Sequence, residues 1–264
     1  MKQFFLAVVI SLFPLKTYGI ELAINNVLFV VDISGSMLGQ LPSVKAAITK
    51  MVSEPKYQSL NSGLIAFEGC GPQYVKYLVP LAPNNGQAIA QATQNLAAGG
   101  GTDIVAALRK AQQINITLIE EKAECADVIL FTDHFDTCNE NSTHVKLLEE
   151  IKQQCSQSNA IFRMDVISLG ADPGVQLFLE EITEVVGGRV VNVDGLQDMT
   201  EGLKELIKDR EKSKISTPKV TAKASPKTEK IPPKKVETKK KEAPKKLEQK
   251  SKQEEKKSNS GGKT

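Results

Sequence analysis

Histidine is scarce in this chain of 264 residues, which holds two copies, His134 and His144. The four cysteines, Cys70, Cys125, Cys138 and Cys155, include no Cys-x-x-Cys pair and have no histidine pair nearby. Zinc takes thiolate and imidazole donors at close spacing, so it is a poor fit. No ordered Ser, His and Asp set stands at the ends of strand-like runs, and no phosphate loop opens a helix. The closing Gly-Gly-Lys-Thr264 lacks the upstream glycine, strand and helix that such a loop requires. After the first 19 residues no apolar run approaches the roughly 20 residues that a membrane-spanning helix needs. These absences argue against nucleophilic catalysis, nucleotide binding and a helical membrane span in the mature chain.

What is present divides the chain in three. Residues 1–19 read as a secretory signal, with Lys2, the apolar core Phe4–Phe13 and a small-residue exit at Thr17-Tyr18-Gly19. An uncleaved anchor is the alternative, and no cysteine near the exit suggests lipid attachment. An even number of cysteines behind such a leader predicts disulfides and an exported, periplasmic or secreted protein. Residues 20–208 carry 13 basic and 23 acidic side chains, whereas residues 209–264 carry 19 basic and 8 acidic ones. The near-neutral total thus hides an acidic domain with a basic tail rich in Lys, Glu and Pro. The tail has too few branched and aromatic residues to offset its ordering entropy and is expected to be disordered. Its roughly 55 residues would span about 40 Å as a coil, a spacer or a tether to an anionic envelope surface. Without aromatics for base stacking, specific nucleic-acid recognition is not expected.

Between residues 27 and 208 strand-like and helix-like runs alternate. Val27–Asp32 is continuously apolar, as for a strand buried on both faces, and Gly63–Phe67, Val128–Phe131, Met164–Leu169 and Arg189–Val193 read likewise as strands. Tyr74–Leu81 alternates and suits an edge strand. Helical spacing marks Leu41–Ser53, Asn85–Leu96, Asp103–Gln113 (extending towards Glu120), Thr143–Ser156, Gly174–Val186 and Leu196–Lys208. This order predicts an α/β fold: a doubly wound, mostly parallel sheet with one antiparallel edge strand and helices on both faces, Rossmann-like. Ligands of such sheets bind at the carboxyl ends of the strands.

Two apolar runs end there in aspartate. Val27–Val31 leads into Asp32-Ile-Ser-Gly-Ser-Met37, which offers a carboxylate and two hydroxyls at i, i+2 and i+4. Val128-Ile-Leu-Phe-Thr leads into Asp133, and between them lies Gly99-Gly100-Gly101-Thr102-Asp103. Hard oxygen donors without His or Cys suit Mg²⁺ or Ca²⁺. Each piece alone has a plainer reading: a turn at Asp32, a helix cap at Thr102, a strand-end turn at Asp133. All three in order at the ends of separate α/β units resemble the metal-ion-dependent adhesion site (MIDAS) of von Willebrand factor A domains. The resemblance covers residues 25–208 and implies a metal set of Asp32, Ser34, Ser36, Thr102 and Asp133. It implies Mg²⁺, or Ca²⁺ or Mn²⁺, and a protein partner whose Asp or Glu completes the shell.

His134 stands where related domains usually have glycine, as a rim contact or a loop residue without a role. Asp103 is either an acceptor behind the site or an acidic first-turn helix residue. By chain direction, Cys70 and Cys138 belong to the ligand-binding end and Cys125 and Cys155 to the other, so Cys70–Cys138 and Cys125–Cys155 are expected among three pairings. A cysteine after the second strand and another just past Asp133 also resembles exported bacterial members of the family. Asn115 and Asn141 fit the glycosylation pattern. The expected function is a non-enzymatic, metal-dependent protein-binding module. Its rivals are a metal-assisted hydrolase with His134 as base, and an envelope tether acting through the tail.

Overall fold

The computed structural model describes residues 26–215. The leader and the tail beyond residue 215 lie outside the described residues, as do the expectations that fall on them. Six strands form one sheet: β1 (Asn26–Asp32), β2 (Asn61–Phe67), β3 (Val75–Ala82), β4 (Asp127–Thr132), β5 (Met164–Leu169) and β6 (Val190–Val193). Their order across the sheet is β3-β2-β1-β4-β5-β6, with β3 antiparallel to β2 and every other pair parallel. The doubly wound fold with one antiparallel edge is thus as the alternation of runs predicts.

Six helices flank it: α1 (Leu41–Val52), α2 (Gly86–Gln94), α3 (Ile104–Glu120), α4 (Asn141–Gln157), α5 (Pro173–Glu184) and α6 (Leu196–Ile215). The pleat of β1 assigns them to faces. Val27, Phe29 and Val31 point into a core shared with Val44 and Ile48 of α1, Ile89 of α2 and Leu203 and Ile207 of α6. Leu28 and Val30 point the other way, into a core with Leu108 of α3, Leu147 and Ile151 of α4 and Leu179 and Ile182 of α5. A strand buried on both sides has no polar face, which is why β1 reads as a continuous apolar run.

Local signals set several helix starts. Asp172 caps α5, its Oδ1 accepting from the amides of Gly174 and Val175 at 2.8 and 3.0 Å, and Pro173 follows at a position where its missing N–H costs nothing. Asp103 caps α3, taking the Ala106 amide on Oδ1 at 2.8 Å. The cap is therefore Asp103 and not Thr102. Both expected disulfides are present, Cys70–Cys138 and Cys125–Cys155.

Two expectations need correction. Helix α6 does not stop at Lys208 but continues to Ile215. Arg210, in a segment that composition assigns to the tail, is buried: its Nε and Nη2 donate to Asp165 Oδ2 at 3.0 and 2.8 Å, and Nη2 to Val128 O at 2.8 Å. Its Nη1 lies 3.3 Å from Asp127 Oδ2. One guanidinium fork thus holds the end of α6 to the amino ends of β4 and β5. Asn115 is also no glycan acceptor in this fold, since it is 1% exposed and its amide exchanges hydrogen bonds with the backbone of Ala126.

Candidate functional site

The chain passes from β1 outward to β2 and β3, then returns to the other side of β1 with β4. The sheet's winding therefore reverses between β1 and β4, and crevices at such switch points are where open α/β sheets bind ligands. Asp32 ends β1, and Asp133 directly follows the last residue of β4.

Asp32 is fully buried. Its Oδ1 accepts the Ser34 amide at 2.8 Å and its Oδ2 accepts the Thr132 hydroxyl at 2.7 Å. Burial pushes its carboxyl from 3.8 up to about 6; the bonds from Thr132 and Ser34 pull it back in part, and the nearby Asp133 charge adds to the rise. The oxygens continue outward from there. Ser34 Oγ lies 3.1 Å from Ser36 Oγ, and Ser36 Oγ donates to Asp133 Oδ1 at 2.8 Å. Asp32, Ser34, Ser36 and Asp133 thus meet in one run of contacts that passes from buried Asp32 and Ser34 to exposed Ser36 and half-buried Asp133.

Thr102 joins through the backbone. Gly35 N donates to Gly100 O at 3.0 Å, Gly99 N to Ile33 O at 2.8 Å, and Gly69 N to Gly101 O at 2.7 Å. The glycine loop therefore lies against the loops after both β1 and β2. Gly100 adopts φ 72°, and a Cβ there would sit 2.9 Å from Gly69 N, so this close approach requires glycine. Thr102 is buried, and Thr137 clamps it from the other side: Thr102 N donates to Thr137 Oγ1 at 3.0 Å and Thr137 N to Thr102 O at 2.9 Å.

The clamp rests on a group that sequence reading passed over. Asp136 Oδ1 accepts the amides of Cys138 and Asn139 at 2.8 and 2.9 Å; Oδ2 accepts Val105 N at 3.1 Å and meets His144 Nε2 at 2.8 Å. Burial raises its carboxyl, but the bonds from His144, Cys138 and Val105 outweigh burial and hold it below 3.8. Asp103 adds a second tie, accepting Gly71 N at 2.7 Å and Asn139 Nδ2 at 2.8 Å. The loop that carries Asp133 is thereby pinned to the start of α3, to α4 through His144, and to the β2–β3 loop through the Cys70–Cys138 bridge. Thr132 and Asp136 carried no signal in sequence, because a strand-end threonine and a loop aspartate are commonplace. His134 is exposed, packing edge-on against Phe135 with its Nδ1 3.4 Å from Phe135 O.

The donor set fits a hard divalent cation. It offers two carboxylates and hydroxyls with no sulfur or imidazole, and among the described residues no group of three or more His, Cys, Asp or Glu competes as a metal cluster. Asp32 and Asp133 also have no Lys or Arg partner among the described residues, so the charge accumulated there is not offset by the protein itself.

The sequence profile of the von Willebrand factor type A domain matches residues 27–135. No curated protein matches the chain. Similar folds include a von Willebrand factor type A protein from Catenulispora acidiphila, at 21% identity and TM-score 0.53, covering 69% of this chain and 41% of that one. The pilus adhesin SpaC of Lactobacillus rhamnosus GG, in its open conformation, matches at 16% identity and TM-score 0.56, covering 72% of this chain and 30% of the adhesin. The mussel byssus proximal thread matrix protein 1, with a zinc-occupied MIDAS motif, matches at 19% identity and TM-score 0.51 over 70% of this chain and 47% of that one. The chain thus spans less than half the length of each of these proteins. Residues 27–135 thus match the von Willebrand factor type A profile, and the chain shares the fold of these structures.

Proposed function

We propose that this is an exported protein-binding module in which Asp32, Ser34, Ser36, Thr102 and Asp133 hold a divalent cation, Mg²⁺ or alternatively Ca²⁺ or Mn²⁺. The cation would supply a Lewis-acidic position to which an Asp or Glu carboxylate of the partner binds. The observation that carries the reading is the state of Asp32: a buried carboxylate, beside a second carboxylate, met by neutral donors of Thr132 and Ser34. Its burial is compensated when a cation is present, and two protein carboxylates leave room in a divalent ion's shell for a third. The chain's own contribution is positioning. Thr132 fixes one Asp32 oxygen, Ser36 bridges the gap to Asp133, and the Asp136–Thr137 clamp sets the distance between Thr102 and the Asp133 loop. Similarity in fold to a pilus adhesin supports a binding role rather than catalysis, and two disulfides support export.

Calorimetric titration of the full chain with Mg²⁺ and Mn²⁺ tests the reading. The wild type is expected to bind one equivalent and Asp32→Ala none, with the circular dichroism spectrum of the variant unchanged. Equal binding by both proteins would remove the site from these residues.

A further inference from the structure

The chain has four arginines. Three bond carboxylates: Arg163 to Asp165 at 2.9 Å, Arg189 to Asp209 at 2.8 Å and Arg210 to Asp165 at 2.8 Å. Arg109, on α3, has no carboxylate partner among the described residues. No acidic residue stands three or four positions from it in either direction, nor from Lys110, so the helix offers neither cation an ion pair of its own. The Lys110 ammonium lies over the Tyr77 ring, 5.8 Å from its centroid.

Both cations line the same cavity of about 520 Å³, between α3 and the start of the edge strand β3. Pro72 and Val75 form an apolar side, and Gln113 and Asn139 add amide groups. Asp103 also borders it, but its carboxylate already takes three donors, from Gly71, Ala106 and Asn139. The remaining unmatched charge is positive, on a domain that is otherwise acidic.

We infer that this groove is a second binding site, which takes a carboxylate of an acidic peptide through the Arg109 guanidinium and the Lys110 ammonium. A guanidinium fork matches a carboxylate bidentately, Lys110 adds a point charge, and the apolar side receives the peptide's aliphatic stem. The groove lies along the helix that follows Thr102: Arg109 stands six residues past the Asp103 cap of α3, roughly 9 Å along the axis at 1.5 Å per residue. About three residues of extended peptide cover that distance. One acidic partner can therefore engage both places, yet the groove itself does not depend on a cation at Asp32.

The test uses the full chain in EDTA, ¹⁵N-labelled and titrated with hexaglutamate, with hexaglutamine as control. The inference expects hexaglutamate to shift the amide signals of Ala106, Arg109 and Gln113, and hexaglutamine to leave them in place. Arg109→Ala/Lys110→Ala is expected to weaken that binding at least 10-fold; should it fail to fold, Arg109→Gln alone carries the same expectation with a 3-fold loss. Unchanged affinity in a folded variant, or shifts confined to residues 209–264 or to Asp32–Ser36, overturns it. Because no divalent ion is present, failure here leaves the Mg²⁺ titration unaffected, and the converse also holds.

Discussion

At the amino ends of β4 and β5, Asp127 and Asp165 are buried against Arg210, and Asp165 also takes Arg163. At the carboxyl end of β1, Asp32 is buried as deeply, but against a hydroxyl and an amide, with Asp133 close by. The two ends solve the same electrostatic problem differently. A charge removed from water needs a counter-charge or it shifts its protonation instead. One end contains its cation within the fold and is a lock; the other has no Lys or Arg partner among the described residues, and in the proposed function a divalent cation supplies the counter-charge. The same contrast extends to the disulfides, since Cys125 and Cys155 are buried in the core while Cys70 is exposed beside the site.

Breaking the lock should have the largest effect. Arg210→Met takes the guanidinium away from Asp127 and from Asp165, which keeps Arg163, and urea denaturation is expected to show a loss of about 3 kcal/mol. A loss below about 1 kcal/mol would mean that α6 packs on β4 and β5 without needing this fork.

The Asp32 end should respond with the opposite sign. The folded carboxyl of Asp32 sits at about 6, above its ordinary 3.8, so the native state holds a proton that the unfolded chain has already released. Stability in EDTA is therefore full below about 4 and falls as pH climbs through about 6. Asp32→Asn is expected to abolish that decline and to stabilise the metal-free protein at pH 7 by about 3 kcal/mol. Thermal unfolding across pH 4–8 in EDTA checks both statements, and a metal-free wild type that grows more stable with rising pH in this window contradicts them.

His134→Ala sharpens the comparison with the smallest effect. The imidazole is exposed and turned to Phe135, so stability should move by no more than about 0.5 kcal/mol. Mg²⁺ affinity should be unchanged; a 10-fold change would bring His134 into the site.

Much of this was legible because the relevant signals are local. Val27–Asp32 is apolar at every position up to Val31, as a doubly covered strand must be, and its last residue falls where sheets bind ligands. The disulfide pairing followed from which end of the sheet each cysteine faces. The parts that escaped reading are those fixed by distant residues. Thr132 is an ordinary strand residue until β1 brings Asp32 to 2.7 Å across 100 positions. Asp136 and His144 are eight positions apart in a polar stretch, and nothing in that stretch announces that both side chains are buried. Arg210 was hidden for the opposite reason: a composition window averages it with the Lys and Glu around it, although its guanidinium ties this part of α6 to β4 and β5.

By itself the sequence determined the alternation of strands and helices, the oxygen-only chemistry of the Asp32 and Asp133 segments, and the charge division between domain and tail. These depend on residue type and short-range spacing, which burial and hydrogen bonding read one element at a time. Only the tertiary structure decided which aspartates receive a cation from the protein and which do not. That distinction depends on side chains 45 to 100 positions apart arriving within about 3 Å of each other, and no local pattern encodes it.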